Sequence, residues 1–366
     1  MATRITLIKN IENLNTIRKK LNITKPIIKW VGGKTQIIDK ILDEYPTTMH
    51  NYHEIFLGGG SVLLALLSYR KAKLITVNGN VYAYDLNETL ISLYKNIQSN
   101  HNNLYIELKK IIDEFNSCGG EDDREDEDGE DREDGEDRKY GELNRNPTTL
   151  DEAKEHPENY YFWSRIKYNS LSKTDKNGII GSALFIFLNK TCFRGMFRVG
   201  PKGFNVPYGN YSKPEIINKE HLQEVHDLIQ GVIFTHCDFS VPLQKCIDSN
   251  DTNNTNNTNN SNSNNNNNNV LNDFIYLDPP YAPENSKSFV GYNKDGFDLE
   301  QHKTLFGLCN SLHLKKIKFI MSNSNVELLK THFPPDVYNT QSIEVKRSIN
   351  SKKPGSKTKE VIIKNF

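Results

Sequence analysis

The tetrapeptide Asp278-Pro279-Pro280-Tyr281 follows the apolar run Phe274-Ile275-Tyr276-Leu277. That order predicts a strand whose carboxyl end presents a carboxylate, and ligand clefts of open α/β sheets lie at that end. Two prolines after the aspartate fix the backbone and leave their carbonyls without competing neighbouring donors. The result is a rigid pair of acceptors beside an aromatic ring. Such a pair suits an exocyclic amine: it takes both N–H bonds, holds the lone pair out of conjugation with the ring, and leaves the nitrogen able to attack an electrophile. Taken alone, the four residues read equally well as a turn after a strand. Other motifs must decide.

His53-Glu54-Ile55-Phe56-Leu57-Gly58-Gly59-Gly60-Ser61 reads as a strand, a glycine turn and a helix start, with Ser61 suited to the N-cap. Glycines at 58 and 60 let a ligand approach the backbone, and a helix N-terminus favours negative charge. The third glycine position of a dinucleotide fingerprint is Leu63, so a pyrophosphate is not implied. Asp85, which ends the strand-like run Val81 to Tyr84, either accepts bonds from ribose hydroxyls or caps the helix starting near Glu88. Lys29-Trp30-Val31-Gly32-Gly33-Lys34-Thr35 resembles a phosphate loop, but Ile28 stands where the first glycine belongs. Trp30 and Lys34 remain a site for a charged, partly aromatic ligand. Asp238, within Cys237-Asp238-Phe239, is another carboxylate at a strand end, fit for an adenine amino group or for a surface turn.

The elements that must position these residues alternate along the chain. Strands are expected at His53–Phe56, Val81–Tyr84, Val232–Thr235, Phe274–Leu277, Ile317–Met321, Ile343–Val345 and Val361–Ile363, and helices at Ser61–Tyr69, Glu88–Ile97, Leu299–Cys309 and Val326–His332. This predicts an open α/β sheet. Residues 140–215 differ, being rich in Tyr, Phe, Asn, Lys and Arg with turn signals at Gly195, Gly200, Pro201, Gly203, Pro207 and Gly209. They read as an inserted domain, which gives a main domain at 22–87 and 216–366 and an insert at 88–215. Two tracts cannot build a core: an acidic one at 119–139, with 13 acidic and 3 basic side chains between 121 and 138, and an asparagine-rich loop at 250–269. Outside the acidic run 43 Lys+Arg face 33 Asp+Glu, so the zero net charge conceals a basic remainder suited to a polyanion.

Five cysteines without a CxxC pair indicate neither a disulfide frame nor a zinc site, and no metal is expected. With no secretory leader and no apolar run approaching about 18 residues, the chain reads as intracellular and free of the membrane.

In order, Lys29 to Lys34, Phe56 to Ser61, Asp85, Asn189 to Tyr208, Asp238 and Asp278 to Tyr281 resemble the Dam-type family of N6-adenine DNA methyltransferases. The resemblance runs from about residue 25 to the C-terminus, once the two polar tracts are removed. Phe319-Ile320-Met321-Ser322-Asn323 and Lys346-Arg347-Ser348-Ile349 look like the family's closing strands. It implies a Rossmann-like, S-adenosylmethionine-dependent methyltransferase sheet with a smaller target-recognition domain. The cofactor, S-adenosylmethionine, would be bound by Trp30, Lys34, Phe56, Gly58, Gly60, Asp85, Asp238 and Asp278. Asp278, Pro279, Pro280 and Tyr281 then form the catalytic motif. Ile55 stands where the family usually has Pro, and Gly59 where another small residue is common; both changes preserve the strand and turn.

Asn189 to Tyr208 resembles the family's DNA-reading hairpin. Arg194 and Arg198 lie four apart on an aromatic-rich ribbon able to enter a major groove, where an arginine bidentate to guanine discriminates by roughly 1–3 kcal/mol. Phe193 is suited to wedging into the space of a flipped base, and Met196 lies between the arginines. Arginines that touch only phosphates, above aromatics that fill a small core, are the alternative. Many members read GATC, but Arg194 replaces a smaller amide. The implied partner is double-stranded DNA, with a monomer as the working unit and a companion restriction endonuclease left open. The segment Ser286 to Phe297 is expected to close over the flipped base or to be a surface loop. Rival readings are an N4-cytosine methyltransferase, which commonly has Ser at position 278, an RNA or protein-glutamine methyltransferase, usually with Asn there, and an inactive DNA-binding relative.

Overall fold

A computed structural model describes residues 21–119, 142–256, 272–282, 297–346 and 357–366. The chain divides into two compact units, one made of residues 1–25, 34–87 and 228–366, the other of residues 26–33 and 88–227. Most of the acidic tract, the asparagine-rich stretch beyond Asn256 and the segment Ser286 to Gly296 lie outside the described residues.

The first unit is built on a seven-stranded sheet. Its strands are Tyr52–Glu54 (β2), Val81–Asp85 (β4), Val232–His236 (β7), Phe274–Leu277 (β8), Lys318–Ser324 (β9), Asn339–Lys346 (β10) and Lys357–Lys364 (β11); Thr48–Met49 (β1) and Thr76–Val77 (β3) pair separately. The order is β10-β11-β9-β8-β2-β4-β7, with β7, β4, β2, β8 and β9 parallel and the β10–β11 hairpin antiparallel at one edge. Every residue of β8 is buried, as expected of a parallel strand covered on both faces. The chain lays β4 and β7 on one side of β2 and β8 on the other, so strand order reverses between β2 and β8. A crevice opens outside the carboxyl ends of strands at such a switch point. The glycine turn follows β2 there, and Asp278 follows β8.

Three strands run well beyond their sequence expectation. Ser322, Asn323 and Ser324 extend β9 because tertiary partners bury its polar end, and β10 and β11 lengthen each other by pairing over eight positions. The helix Leu299–Leu314 starts from a reciprocal cap: Gln301 N–H donates to Asp298 Oδ1 (2.8 Å), and Asp298 N–H donates to Gln301 Oε1 (2.9 Å). It buries Leu305, Phe306, Cys309 and Leu312. The helix Ser240–Asn256 runs into the start of the asparagine-rich stretch, which the sequence reading had placed wholly in a loop. Leu243, Cys246 and Ile247 anchor that helix in the core.

The second unit is mainly helical, although turns dominated its sequence reading. Glu88–Asn116 kinks at Asn100 (φ −149°, ψ 31°). Pro157–Ser170 starts with Pro at its first turn under a His156 cap, and Ile179–Thr191 buries ten of its thirteen residues. The unit gains residues 26–33 and 216–227 over the sequence boundary of 88–215. Asn189 draws in the first by accepting from Lys29 N–H (2.8 Å) and donating to Lys29 O (2.9 Å), and His226 ties the second to Ile97 O (2.9 Å). Among the described residues no helix is long and apolar enough to cross a membrane.

Replacing Asp298 by Ala removes the cap from the helix Leu299–Leu314. The expected loss is about 1 kcal/mol, read as a lower urea midpoint at unchanged slope.

Candidate active site

Asp278 stands one residue beyond β8, and its two carboxylate oxygens have different fates. Lys34 Nζ lies 2.9 Å from Oδ2. Oδ1 is buried and has no hydrogen-bond partner. The lysine is itself 4% exposed and sits 4.8 Å from the centre of the Tyr281 ring; its N–H donates to Ser61 Oγ (3.2 Å), which fixes it to the start of the helix Ser61–Lys71. Tyr281 donates to Glu360 Oε2 (2.7 Å), so the ring is held at one face and at its hydroxyl. Burial pushes the Asp278 carboxyl up to about 6, against the pull of Lys34. An unpaired buried acceptor of this kind costs about 1–3 kcal/mol, more when charged. A ligand N–H placed against it would recover that cost.

The glycine turn is built for close approach. Gly58 (φ 51°) and Gly60 (φ 73°) both adopt the left-handed region, which side chains with a Cβ disfavour. Gly60 itself occupies the N-cap, so the expectation of a Ser61 cap fails: Ser61 is the first helical residue, and its hydroxyl accepts from Lys34 N–H instead. Asp85 Oδ2 accepts from Gly58 N–H (2.9 Å) and Oδ1 from Asn87 N–H (2.8 Å), so this carboxylate shapes both the turn and the approach to the next helix. Burial raises its pKa. Asp238 caps locally, accepting from Ser240 N–H at 2.9 Å. Phe56 stacks on Phe239 (5.7 Å between centres), and Phe297 meets both rings. Phe239 thus joins the predicted residues, although sequence reasoning gave it no binding role, and Phe297 ends the segment expected to close over the flipped base or to be a surface loop.

Three further groups were missed. Glu54, 1% exposed at the end of β2, accepts from Tyr52 Oη (2.8 Å). Burial pushes it up to about 8, opposed by the bonds from Tyr52 and Leu63 N–H and reinforced by the Asp278 charge. Its signal in the sequence was a charged residue inside an apolar strand. Asn323, fully buried at the end of β9, accepts through Oδ1 from Ala282 N–H (3.0 Å) and Ser324 N–H (2.8 Å). His302 places Nε2 3.2 Å from Pro280 O. The expectation of two carbonyls without neighbouring donors therefore fails at Pro280, because the helix Leu299–Leu314 brings a ring nitrogen to it.

Trp30 belongs to the second unit, where it stacks on Phe197 (5.3 Å) and meets Phe185 edge-on. The ribbon expected at 189–208 begins as helix to Thr191. It continues through a 3₁₀ turn and closes with the bridge Cys192–Tyr208 and the short pair Val199–Gly200 and Gly203–Phe204. Arg194 adopts φ 57°, and its guanidinium lies 5.1 Å from the Phe193 ring, which is 42% exposed. Arg198 is exposed and tied to Asn205 through Nε to Oδ1 (2.7 Å) and Nη2 to O (3.1 Å). Met196 is half-buried, and its carbonyl accepts from Cys192 Sγ.

His53, Cys246 and Asp273 gather at the other end of the parallel strands. Cys246 Sγ stands almost equally far from the two imidazole nitrogens (3.9 and 3.8 Å), off the lone-pair axis of either. That geometry is packing, not ligation.

The model of the D12 class N6 adenine-specific DNA methyltransferases matches residues 30–251 and 243–350. A Type II methyltransferase of Methanocaldococcus jannaschii, M.MjaIII, is 30% identical over 93% of this chain and 99% of its own length. The Lactococcus lactis Type II methyltransferase M1.LlaDCHI is 25% identical over 96% and 99%, and the DNA adenine methylase of Haemophilus influenzae 26% over 89% and 88%.

Between the usual carboxylate range and about 8, the folded protein keeps a proton on Glu54 that the unfolded chain has released. Stability therefore falls as pH rises through that window. Glu54→Gln should remove this fall, measured as a melting temperature that declines less than wild type between pH 5 and pH 8.

Proposed function

The chain belongs to the D12 class N6 adenine-specific DNA methyltransferases, and from that premise we propose that it transfers the methyl group of S-adenosylmethionine to N6 of an adenine in double-stranded DNA, within GATC or a related short site. The observation that carries the chemistry is the divided carboxylate: Asp278 Oδ2 held by Lys34, and Oδ1 buried without a partner. When bound, S-adenosylmethionine supplies an electrophilic sulfonium methyl group. Its holders would be Phe56, Gly58, Gly60, Asp85 and Asp238, which combine a backbone open to close approach with carboxylates suited to hydroxyl and amino groups. Phe239 adds an aromatic face. Lys34 has a different part, since its ammonium serves Asp278 and Tyr281.

Asp278 Oδ1 would accept one N6 hydrogen and the Pro279 carbonyl the other, with Tyr281 against the base. The base must leave the duplex to reach these groups, at a cost of a few kcal/mol. As N6 gains carbon it gains positive charge, and a fixed carboxylate beside it stabilises that charge without reorganising. Asp278 must be ionised to do so. The second unit is read as the target-recognition domain, with Phe193, Arg194, Met196 and Arg198 as its DNA-facing residues. The left-handed backbone of Arg194 supports this, because strain of that kind collects at functional positions.

Asp278→Ala should abolish transfer of labelled methyl to DNA while circular dichroism stays unchanged; methylation retained in that variant removes the mechanism. In the wild type, kcat/KM should fall as pH drops through about 6, where Asp278 takes up its proton. Lys34→Met should move that limb upward, since burial then acts unopposed. For recognition, Arg198→Ala should lose about 1–3 kcal/mol of discrimination at one base of the site, while a phosphate contact would instead weaken all sequences alike and lower the salt slope by about 1.

A further inference from the structure

Tyr281 is tied at its far end to a strand remote in the chain. Its Oη donates to Glu360 Oε2 (2.7 Å), 79 positions away on β11. Because β11 runs antiparallel to β9, its early residues lie at the carboxyl ends of the parallel strands, beside the loop that follows β8. Val361 and Ile363 belong to the apolar core cluster, and alternation puts Glu360 on the opposite face. Glu360 stands in register with Ser324 of β9, whose Oγ donates to Ala282 O. Two consecutive loop residues, Tyr281 and Ala282, are thus fastened by two residues that lie opposite each other on one strand pair.

The bond to Glu360 and the cation beside the ring restrain different motions. In a tyrosine Oη lies on the Cβ–Cγ axis, so an acceptor fixed there stops the axis from swinging but leaves the ring free to turn about it. That turning is the broad, two-fold torsion of an aromatic side chain, and Lys34 Nζ, 4.8 Å from the ring centre, limits it. Burial pushes the Tyr281 hydroxyl up, and the charges of Asp278 and Glu360 add to the rise, so the hydroxyl keeps its proton and donates. We propose that Glu360 is a positioning residue for methyl transfer: by holding the Tyr281 hydroxyl it fixes the ring against which the target base rests, and so the line from N6 to the methyl group. This inference rests on the adenine reading above and adds to it a residue that acts through Tyr281 from outside the catalytic motif. A ring free to swing would let the base drift from the geometry in which N6 faces the sulfonium carbon, and small misplacements of that kind are costly.

The test is a double-mutant cycle on the full chain. The substrate is an oligonucleotide duplex carrying the site found by modified-base sequencing of DNA from expressing cells, and the variants are Glu360→Ala, Glu360→Gln, Tyr281→Phe and the combination of Glu360→Ala with Tyr281→Phe. Glu360→Ala should lose about 10- to 100-fold in kcat/KM at neutral pH. Glu360→Gln, which keeps an oxygen for the hydroxyl, should recover most of that loss. Tyr281→Phe should lose as much as Glu360→Ala, and the combined variant no more than either, because both changes remove one bond. A residue that served only to stabilise β11 would give additive losses instead. Additive losses, or wild-type kcat/KM in Glu360→Ala, overturn the proposal. Should Glu360→Ala fail to fold, Tyr281→Phe decides, since it leaves β11 unaltered: wild-type kcat/KM there also overturns it. A wild type that methylates no duplex at all sinks the adenine reading, an outcome seen before any variant is compared.

Discussion

One buried ion pair organises the candidate site. Lys34, almost wholly buried, holds a single oxygen of Asp278 and lies over the face of Tyr281. Taking two charges out of water is costly, and a buried pair justifies itself only when its geometry serves something beyond stability. Here it keeps a desolvated carboxylate from climbing higher than about 6 and orients it, so that one oxygen is saturated and the other stays receptive. A carboxylate in water would present both oxygens alike and would hydrate them.

The fold places that pair where strand order reverses. β2 and β8 are neighbours in the sheet yet more than two hundred residues apart in the chain, and each delivers one half of the machinery at its carboxyl end. The glycine turn after β2 needs left-handed backbone at Gly58 and Gly60, which Asp85 then braces from β4. Asp85 and Asp238 shape local backbone, and their carboxylate oxygens can each accept more than one bond. These are economical arrangements: the residues that form the turns also line them.

The apolar and polar parts of the first unit meet at this end in an uncommon way. Glu54 ends β2, Asp278 follows β8 and Asn323 lies next to the end of β9, and all three are desolvated. Burying so many polar groups side by side works against stability. Their partners, Tyr52, Lys34, Ala282 and Ser324, satisfy most of the bonds, and Asp278 Oδ1 and Asn323 Nδ2 are left over.

Much of this was legible in the chain. The apolar run before Asp278 marks a strand because four consecutive buried residues of a parallel sheet must all be apolar, and the glycines after Phe56 mark a turn because few other residues tolerate positive φ. Cap residues such as Asp298 likewise act over one helical turn, so local order reveals them. The partner of Asp278 was another matter, since Lys34 lies 244 positions away and reads locally as part of a phosphate-loop remnant. Asn323 looked like the polar end of a strand, and Tyr160 and Phe187 meet only because helices of the second unit pack. Patterns set by neighbours along the backbone are written in the sequence, whereas burial, and the pKa shifts and unpaired atoms that burial creates, exists only once distant segments have excluded water from one another.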